Sequence, residues 1–532
     1  MLESMSAGRA VSRREFVAIG GTIAAAGALA PLVDPLAALG DSKWPSGRLG
    51  AKDATRVDRD QFMPLGQFRR WHEQLDQVGP SNQRGLRATG STGHEGYVDE
   101  LRDRLDRAGV QQLHFEPVPM KRWTTSDWSL ELTGGAAAGE VKTSSYIPYS
   151  GKTPKQGVTG ELVFVAAGAT PAPGSLAGKI AVFDVPVLSI PLTVLTSLAY
   201  EGRSYDPQGQ LAGDQLYKRP YLSIETVIEM IEKLTVAGAV GAVGVIDFPF
   251  EGAKGTYFPY DGVIREVPGV YVDREVGATL KQQAQAGTSA RLRLPASVKK
   301  VKSRNLLGII PGQSKEIVTL HCHTDGSNAL EDNGPDAIVA MAQYLARLPR
   351  KALPRTILIL LTTGHFAGGN GTRSYLSRHE GDFVKRTNAA LTIEHLGLKE
   401  WNELPSGEMG LTGNWEPGAI FAPGSSALVD ASFKALKRAK AKPAGVLKPL
   451  YPNGSGQPND PVWPGEGQYL YGIGGIPTAN YITGPTYLLN WGVKTADKVS
   501  FRRVRNEAIA FTEEILRLGR TPGADLKTYD LG

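Results

Sequence analysis

His321, Cys322, His323, Thr324 and Asp325 put two imidazoles, a thiol and a carboxylate into five consecutive positions, and Glu331 and Asp332 follow closely. Imidazole nitrogens and carboxylate oxygens are groups that zinc accepts as ligands, and they also move protons near neutral pH. His365 and the pair Glu394 and His395 add three more such groups downstream. Five of the chain's eight histidines lie between 321 and 395. One histidine at a strand end is more often a hydrogen-bonded boundary residue than a ligand. Several converging strand ends point to a site, without fixing its chemistry.

The positioning elements are legible around these residues. Glu316–Leu320 is short, apolar and β-branched, which predicts a buried strand. The two-residue period puts His321 and His323 on one face and Cys322 on the other. A helix is expected over Pro335–Leu348, with proline in its first turn and Ile338, Val339, Ala342 and Leu345 on its apolar face. Arg355–Leu361 runs as a second strand toward His365, and Ala389–Ile393 as a third into Glu394 and His395. Three parallel strands would thus end in ionisable groups at their carboxyl ends, where open α/β sheets place their sites.

A length of 532 residues predicts two or three domains. Apolar content of 41% and charged content of 21% are those of an ordinary globular protein. The single cysteine, Cys322, excludes an intrachain disulfide and, facing away from the histidines, reads as a buried core thiol. The net charge is +6; the first 40 residues carry three arginines and three acids, so the remainder keeps it. The densest basic run, Lys434, Lys437, Arg438, Lys440 and Lys442, fits a solvated helix face. It lacks the interleaved aromatics of a nucleic-acid surface, so no nucleic-acid partner is expected.

Ser12, Arg13, Arg14, Glu15 and Phe16 precede an apolar stretch from Val17 to Leu32, as in a twin-arginine export signal. Gly20, Gly21 and Gly27 interrupt that stretch, which is too short for a stable membrane span. Export to a periplasmic or extracellular compartment is expected, with residues 1–40 removed and 41–65 as a linker.

Further along, Leu86–His94 is a glycine-rich loop without the lysine of a phosphate-binding loop, and a helix is predicted over Glu95–Ala108. The texture changes over 124–296, where short strands such as Lys179–Phe183 and Val240–Ile246 alternate with glycine turns and a helix over Glu225–Ala237. That range reads as a separate module inserted between 66–123 and 297–532. Within it, 185–222 is long, irregular and tyrosine-bearing, as lids and binding elements often are. The stretch 451–491 is rich in glycine, proline and aromatics, and Phe501–Leu518 closes the chain as an amphipathic helix.

In this order, Leu86–His94, Gly238–Ile246, Asn305–Pro311, His323 to Asp325, Asp332 with Asn333, Gly371–Tyr375 and Gly475–Pro477 resemble the co-catalytic zinc aminopeptidase and carboxypeptidase family. That family includes glutamate carboxypeptidase, and the resemblance covers roughly residues 66 to 520. It implies an α/β fold with a doubly wound, mostly parallel sheet, and a β-rich protease-associated domain inserted at 124–296. It implies a metal held by His323, Asp332 and Glu394, with Asp325 orienting the ligating histidine from behind. The family's adjacent glutamates after the next strand are His365 and Phe366 here, and its last histidine ligand aligns with Asn490. Phenylalanine cannot bind zinc and asparagine is a poor ligand, so the second metal site is lost.

Three readings follow. The first is an exported hydrolase of an amide or peptide-like bond with one zinc, His365 as general base, and Glu466, Tyr487, Asn490 and His395 as substrate contacts. The second is metal-free acid/base chemistry by His365, His395, Glu394 and Asp332. The third is a binding protein that has lost catalysis on the same fold, as the transferrin receptor has.

Overall fold

The computed structural model describes residues 43–50, 55–134, 137–212, 215–450 and 462–531. The export signal expected at residues 1–40 lies outside the described residues. Trp44–Gly532 forms one compact unit.

Its main sheet has nine strands: β1 (Gln111–Thr124), β2 (Ala199–Tyr205), β3 (Ser297–Ile310), β4 (Ser314–His323), β5 (Arg355–Thr362), β6 (Thr387–Ile393), β7 (Gly418–Phe421), β8 (Ala444–Leu447) and β9 (Thr478–Thr483). Their spatial order is β1-β3-β5-β4-β6-β9-β7-β8-β2. The centre, β5-β4-β6-β9, is parallel, and β1, β3, β7 and β2 each meet a neighbour antiparallel. The sheet is therefore mixed, with the parallel strands buried in the middle.

Helices cover both faces. Asn333–Leu345 and Phe501–Leu518 lie on one, where Val318, Leu320 and Cys322 of β4 join the large core. On the other, Ile317 packs with Tyr375 and Leu376 of the helix Asn370–His379 and with Tyr469 and Leu470 of the helix Gly467–Gly472. His321 and His323 point to this second side, because alternate residues of a strand face opposite ways. The predicted helix over Pro335–Leu348 starts two residues earlier and ends at Leu345.

A second sheet of eight strands is built from residues 129–293, with Val158–Val165, Ile180–Val185, Gly241–Ile246 and Gly269–Val272 at its parallel centre. Leu162, Val182, Val243 and Val270 form a separate small core on one of its faces. One strand from this stretch, β2, leaves it and pairs with β8 at the edge of the main sheet. The range 185–222, irregular in sequence, thus supplies a main-sheet strand and a hairpin, Ser189–Pro191 with Leu216–Lys218. The expected linker also packs: Val57 and Phe62 are buried, and Arg505 donates to the Met63 carbonyl. No helix among the described residues is long and apolar enough to cross a membrane.

Candidate active site

The carboxyl ends of β4, β5 and β6 meet as the sequence predicts. His321 ends in structural bonds on both nitrogens, Nδ1 2.9 Å from Thr392 Oγ1 and Nε2 3.1 Å from Thr362 Oγ1. Burial, with the nearby charge of His365, pushes its pKa down to about 3, so it is a neutral brace between strands. His323 differs. Its Nδ1 meets the carbonyl oxygen of Asp325 at 2.9 Å, while its Nε2 is buried and has no hydrogen-bond partner.

Other bare atoms face that nitrogen. Glu394 Oε2 lies 3.8 Å from His323 Nε2 and is itself buried and unpartnered. The second oxygen of Glu394 accepts from the backbone N–H of Glu466 at 2.9 Å and from Asn480 Nδ2 at 3.1 Å, which aims the first one inward. His395 turns back over the site with a left-handed backbone, φ 55°. Its Nδ1 donates to the Thr483 carbonyl at 2.7 Å, leaving Nε2 bare and 3.5 Å from Glu331 Oε1, outside hydrogen-bonding geometry. Glu331 Oε2 is also buried and unpartnered.

Two donor sets result, His323 with Glu394 and His395, and His323 with Glu331 and His365, each within 4.8 Å. Buried polar atoms are nearly always satisfied, and bare carboxylates deep in a protein are costly. A cation ~2.0–2.2 Å from each nitrogen and oxygen would satisfy the first set. The chemistry of the donors, two neutral-capable imidazoles and two carboxylates with Glu331 included, fits zinc.

Asp332, expected as a ligand, has its Oδ2 2.5 Å from Arg87 Nε, and its Oδ1, buried and unpartnered, lies 3.6 Å from His323 Nδ1. Arg87 is fully buried and also donates to the carbonyls of Gly85 and Asn328. Asp332 is absent from both donor sets, whereas its neighbour Glu331 is in one. Asp325, expected to orient His323, meets its Nδ1 through the backbone carbonyl, while its carboxylate accepts from the N–H groups of His365 at 3.2 Å and Phe366 at 2.9 Å and from the Thr89 hydroxyl. It fastens the end of β5 to the end of β4.

His365 is in place but not in the expected form. Its ring stacks on His323 with centroids 4.1 Å apart, and its Nδ1 is 2.7 Å from Glu466 Oε2. Burial opposes the charge, but the hydrogen bond and field of Glu466, with Glu331 and Glu394 behind it, raise the pKa to about 10. A ring that holds its proton this tightly is suited to donate a proton rather than to take one, unlike the general base expected at this position. Glu466 is wholly buried; its Oε1 accepts from Thr372 Oγ1 at 2.6 Å. It is the counter-ion of His365 rather than a substrate contact.

Two expected contacts are not brought in. Asn490 donates from Nδ2 to the carbonyls of Gly252 at 3.2 Å and Lys254 at 2.7 Å, a backbone fastening. Tyr487 is buried edge-on against Trp401, 5.7 Å between centroids. His395 is present as a candidate ligand instead. Phe366, where a second metal's ligand was missing, packs among Tyr257 at 5.6 Å and Tyr260 at 5.1 Å, and Tyr149 bonds its carbonyl. Aromatic rings fill that half. Sequence reasoning did not single out Glu331 or Arg87 for the site; the signal for Glu331 was the acidic pair it forms with Asp332.

No protein-family model matches the chain. In sequence it is similar to carboxypeptidase Q of Rattus norvegicus, 21% identical over 328 residues, 58% of this chain and 61% of that protein. Carboxypeptidase Q of Bos taurus is 21% identical over 338 residues, 60% of this chain and 62% of that protein. The chain thus spans less than two thirds of the length of these curated relatives. Among solved structures, a peptidase M28 precursor from Shewanella amazonensis superposes with a TM-score of 0.61 at 17% identity, covering 88% of this chain and 95% of that one. A zinc aminopeptidase from Bacillus subtilis gives 0.55 at 15% identity, over 91% and 98%. The aminopeptidase from Aneurinibacillus gives 0.52 at 16%, over 87% and 94%. The chain has the fold of these peptidases.

Proposed function

We propose that this protein, built on the zinc-aminopeptidase fold, hydrolyses an amide or peptide-like bond with one zinc ion held by His323, Glu394 and His395. The observation that carries the reading is the donor set His323, Glu394 and His395, within 4.8 Å of one another, with His323 Nε2, Glu394 Oε2 and His395 Nε2 buried and unpartnered. The relatives' names, carboxypeptidase and aminopeptidase, supply the reaction class. The twin-arginine pattern at Ser12–Leu32 supports export of the folded, metal-loaded chain.

When bound, zinc supplies Lewis acidity toward a carbonyl and lowers the pKa of water from ~15.7 toward ~7. The chain's own groups divide the proton work. Glu331 Oε2, bare and 1% exposed as a residue, receives a proton from the attacking water. His365, held as an imidazolium by Glu466, delivers a proton from Nε2 to the leaving nitrogen. Asp325 keeps His323 and His365 stacked by binding both strand ends. Phe366, Tyr257 and Tyr260 exclude water from the side where the fold's second metal would sit.

The test is turnover of a panel of dipeptides and aminoacyl p-nitroanilides by the zinc-loaded protein beside His323→Ala. Turnover by the wild type that is lost with zinc in the variant is expected. Equal turnover by metal-free wild type would overturn the reading.

A further inference from the structure

His395 holds its ring in a backbone conformation that L-residues rarely adopt, φ 55°. A single left-handed residue is strained and persists only where its surroundings over-determine it. Two bonds to one residue do this locally: His395 Nδ1 to the Thr483 carbonyl at 2.7 Å, and Thr483 Oγ1 back to the His395 carbonyl at 2.6 Å. Thr483 is the last residue of β9, so its position depends on what holds the chain just beyond it.

What holds it is the next carbonyl. Three groups from the strand Leu216–Lys218 and the turn after it converge on Gly484 O: Arg219 Nε at 2.8 Å, the Tyr217 hydroxyl at 2.6 Å and the Tyr221 hydroxyl at 2.5 Å. The two hydroxyls are also 2.8 Å apart, so when one donates to the other, the second donates to Gly484 O beside Arg219. Arg219 is fully buried, and its Nη2 lies 2.7 Å and 2.9 Å from the two oxygens of buried Glu416. The fit leaves no slack: a Cβ on Gly484 would come within 2.1 Å of the Tyr221 hydroxyl.

We infer that this turn clamps Gly484 and thereby sets the ring of His395, making Arg219, Tyr217 and Tyr221 positioning residues of the metal centre. The inference rests on His395 being a zinc ligand, as proposed above. It gives the tyrosine-bearing range 185–222 a defined task, to lock from a distant segment the one ligand that the main sheet alone holds in a strained conformation. Residues that orient a ligating histidine from behind typically change metal affinity about 10–100-fold when removed.

The test measures zinc affinity by competition with a chromophoric chelator, together with the visible spectrum of the cobalt(II)-loaded protein. Wild type is compared with Tyr217→Phe/Tyr221→Phe, Tyr221→Phe alone and Arg219→Lys. Tyr344→Phe is the control; it removes a hydrogen bond to the Asp58 N–H. We expect zinc binding weakened at least ~10-fold and altered cobalt bands in the clamp variants, with the control unchanged. If the double variant does not fold, Tyr221→Phe alone decides. Wild-type affinity that is retained within twofold by the clamp variants overturns the clamp and leaves the metal site standing. A wild type that binds no zinc overturns both.

Discussion

His365 Nδ1 and Glu466 Oε2 lie 2.7 Å apart inside the protein, a buried ion pair beside the candidate metal site. The pair decides the role of His365. Burial alone would strip the proton, but Glu466 keeps it on up to about pH 10. The field of Glu466 thus favours the imidazolium of His365, the form that donates a proton.

Glu466→Gln removes the counter-ion. The raised value belongs to a base that gained a partner, so the charged form is held from low pH up to about 10 and lost above it. Without Glu466 that proton is lost at a lower pH. The alkaline limb of kcat should therefore move down by at least a unit, and kcat at pH 8 should fall about 10²-fold. A pH–rate profile with an unmoved alkaline limb would remove His365 as the acid.

Glu331 and Asp332 are neighbours with opposite assignments. Glu331→Gln should cost about 10²–10⁴ in kcat with the melting temperature nearly unchanged. Asp332→Asn leaves Arg87 buried without its counter-charge and should cost about 3–5 kcal/mol of stability. Denaturant unfolding and single-turnover rates on both variants check this; the reverse pattern would restore Asp332 as the working carboxylate.

Phe366→Glu introduces the glutamate that the sequence resemblance leads one to expect at this position, yet should not add a metal. The position is 1% exposed and enclosed by Tyr149, Tyr257 and Tyr260. The variant should keep the wild-type zinc stoichiometry and lose about 3 kcal/mol or more. A second bound equivalent of zinc would show that the aromatic packing does not close that half.

The parallel strands, the direction of His321 and His323 and the closing helix Phe501–Leu518 were legible because each depends on a short local pattern. The period of two separates His323 from Cys322, and an apolar face marks the helix. The surroundings of the site were not legible, because they are made by groups far away in sequence. Arg87 meets the Asp332 carboxylate, and Thr483 binds the His395 ring from another strand. His365 was read with its ordinary pKa because Glu466, its partner, comes from another element. The strand Ala199–Tyr205 was hidden for a related reason: it sits at a sheet edge with only Tyr200 buried, and so carries little apolar signal.

Away from the site, Glu514 is buried with Oε1 accepting from Ser432 and Oε2 unpartnered. Burial raises its pKa from 4.5 to about 7 against the pull of Ser432 and Arg517. The folded state binds its proton more tightly than the unfolded one, so its contribution to stability is full below pH 4.5 and lost as pH rises through 7. Glu514→Gln should gain on the wild type by on the order of 3 kcal/mol between pH 4 and pH 8. Urea unfolding at both pH values measures the difference; parallel pH dependences would contradict it.

The central claim is one zinc held by His323, Glu394 and His395. The most direct measurement is the metal-to-chain ratio of protein purified without chelator, with an anomalous-scattering map to place the ion. The account predicts about one zinc per chain, as a single three-ligand set of His323, Glu394 and His395 with an open position requires, located between these residues and lost in His395→Ala. Two zinc ions per chain, an ion bound to Asp332, or none at all would contradict it.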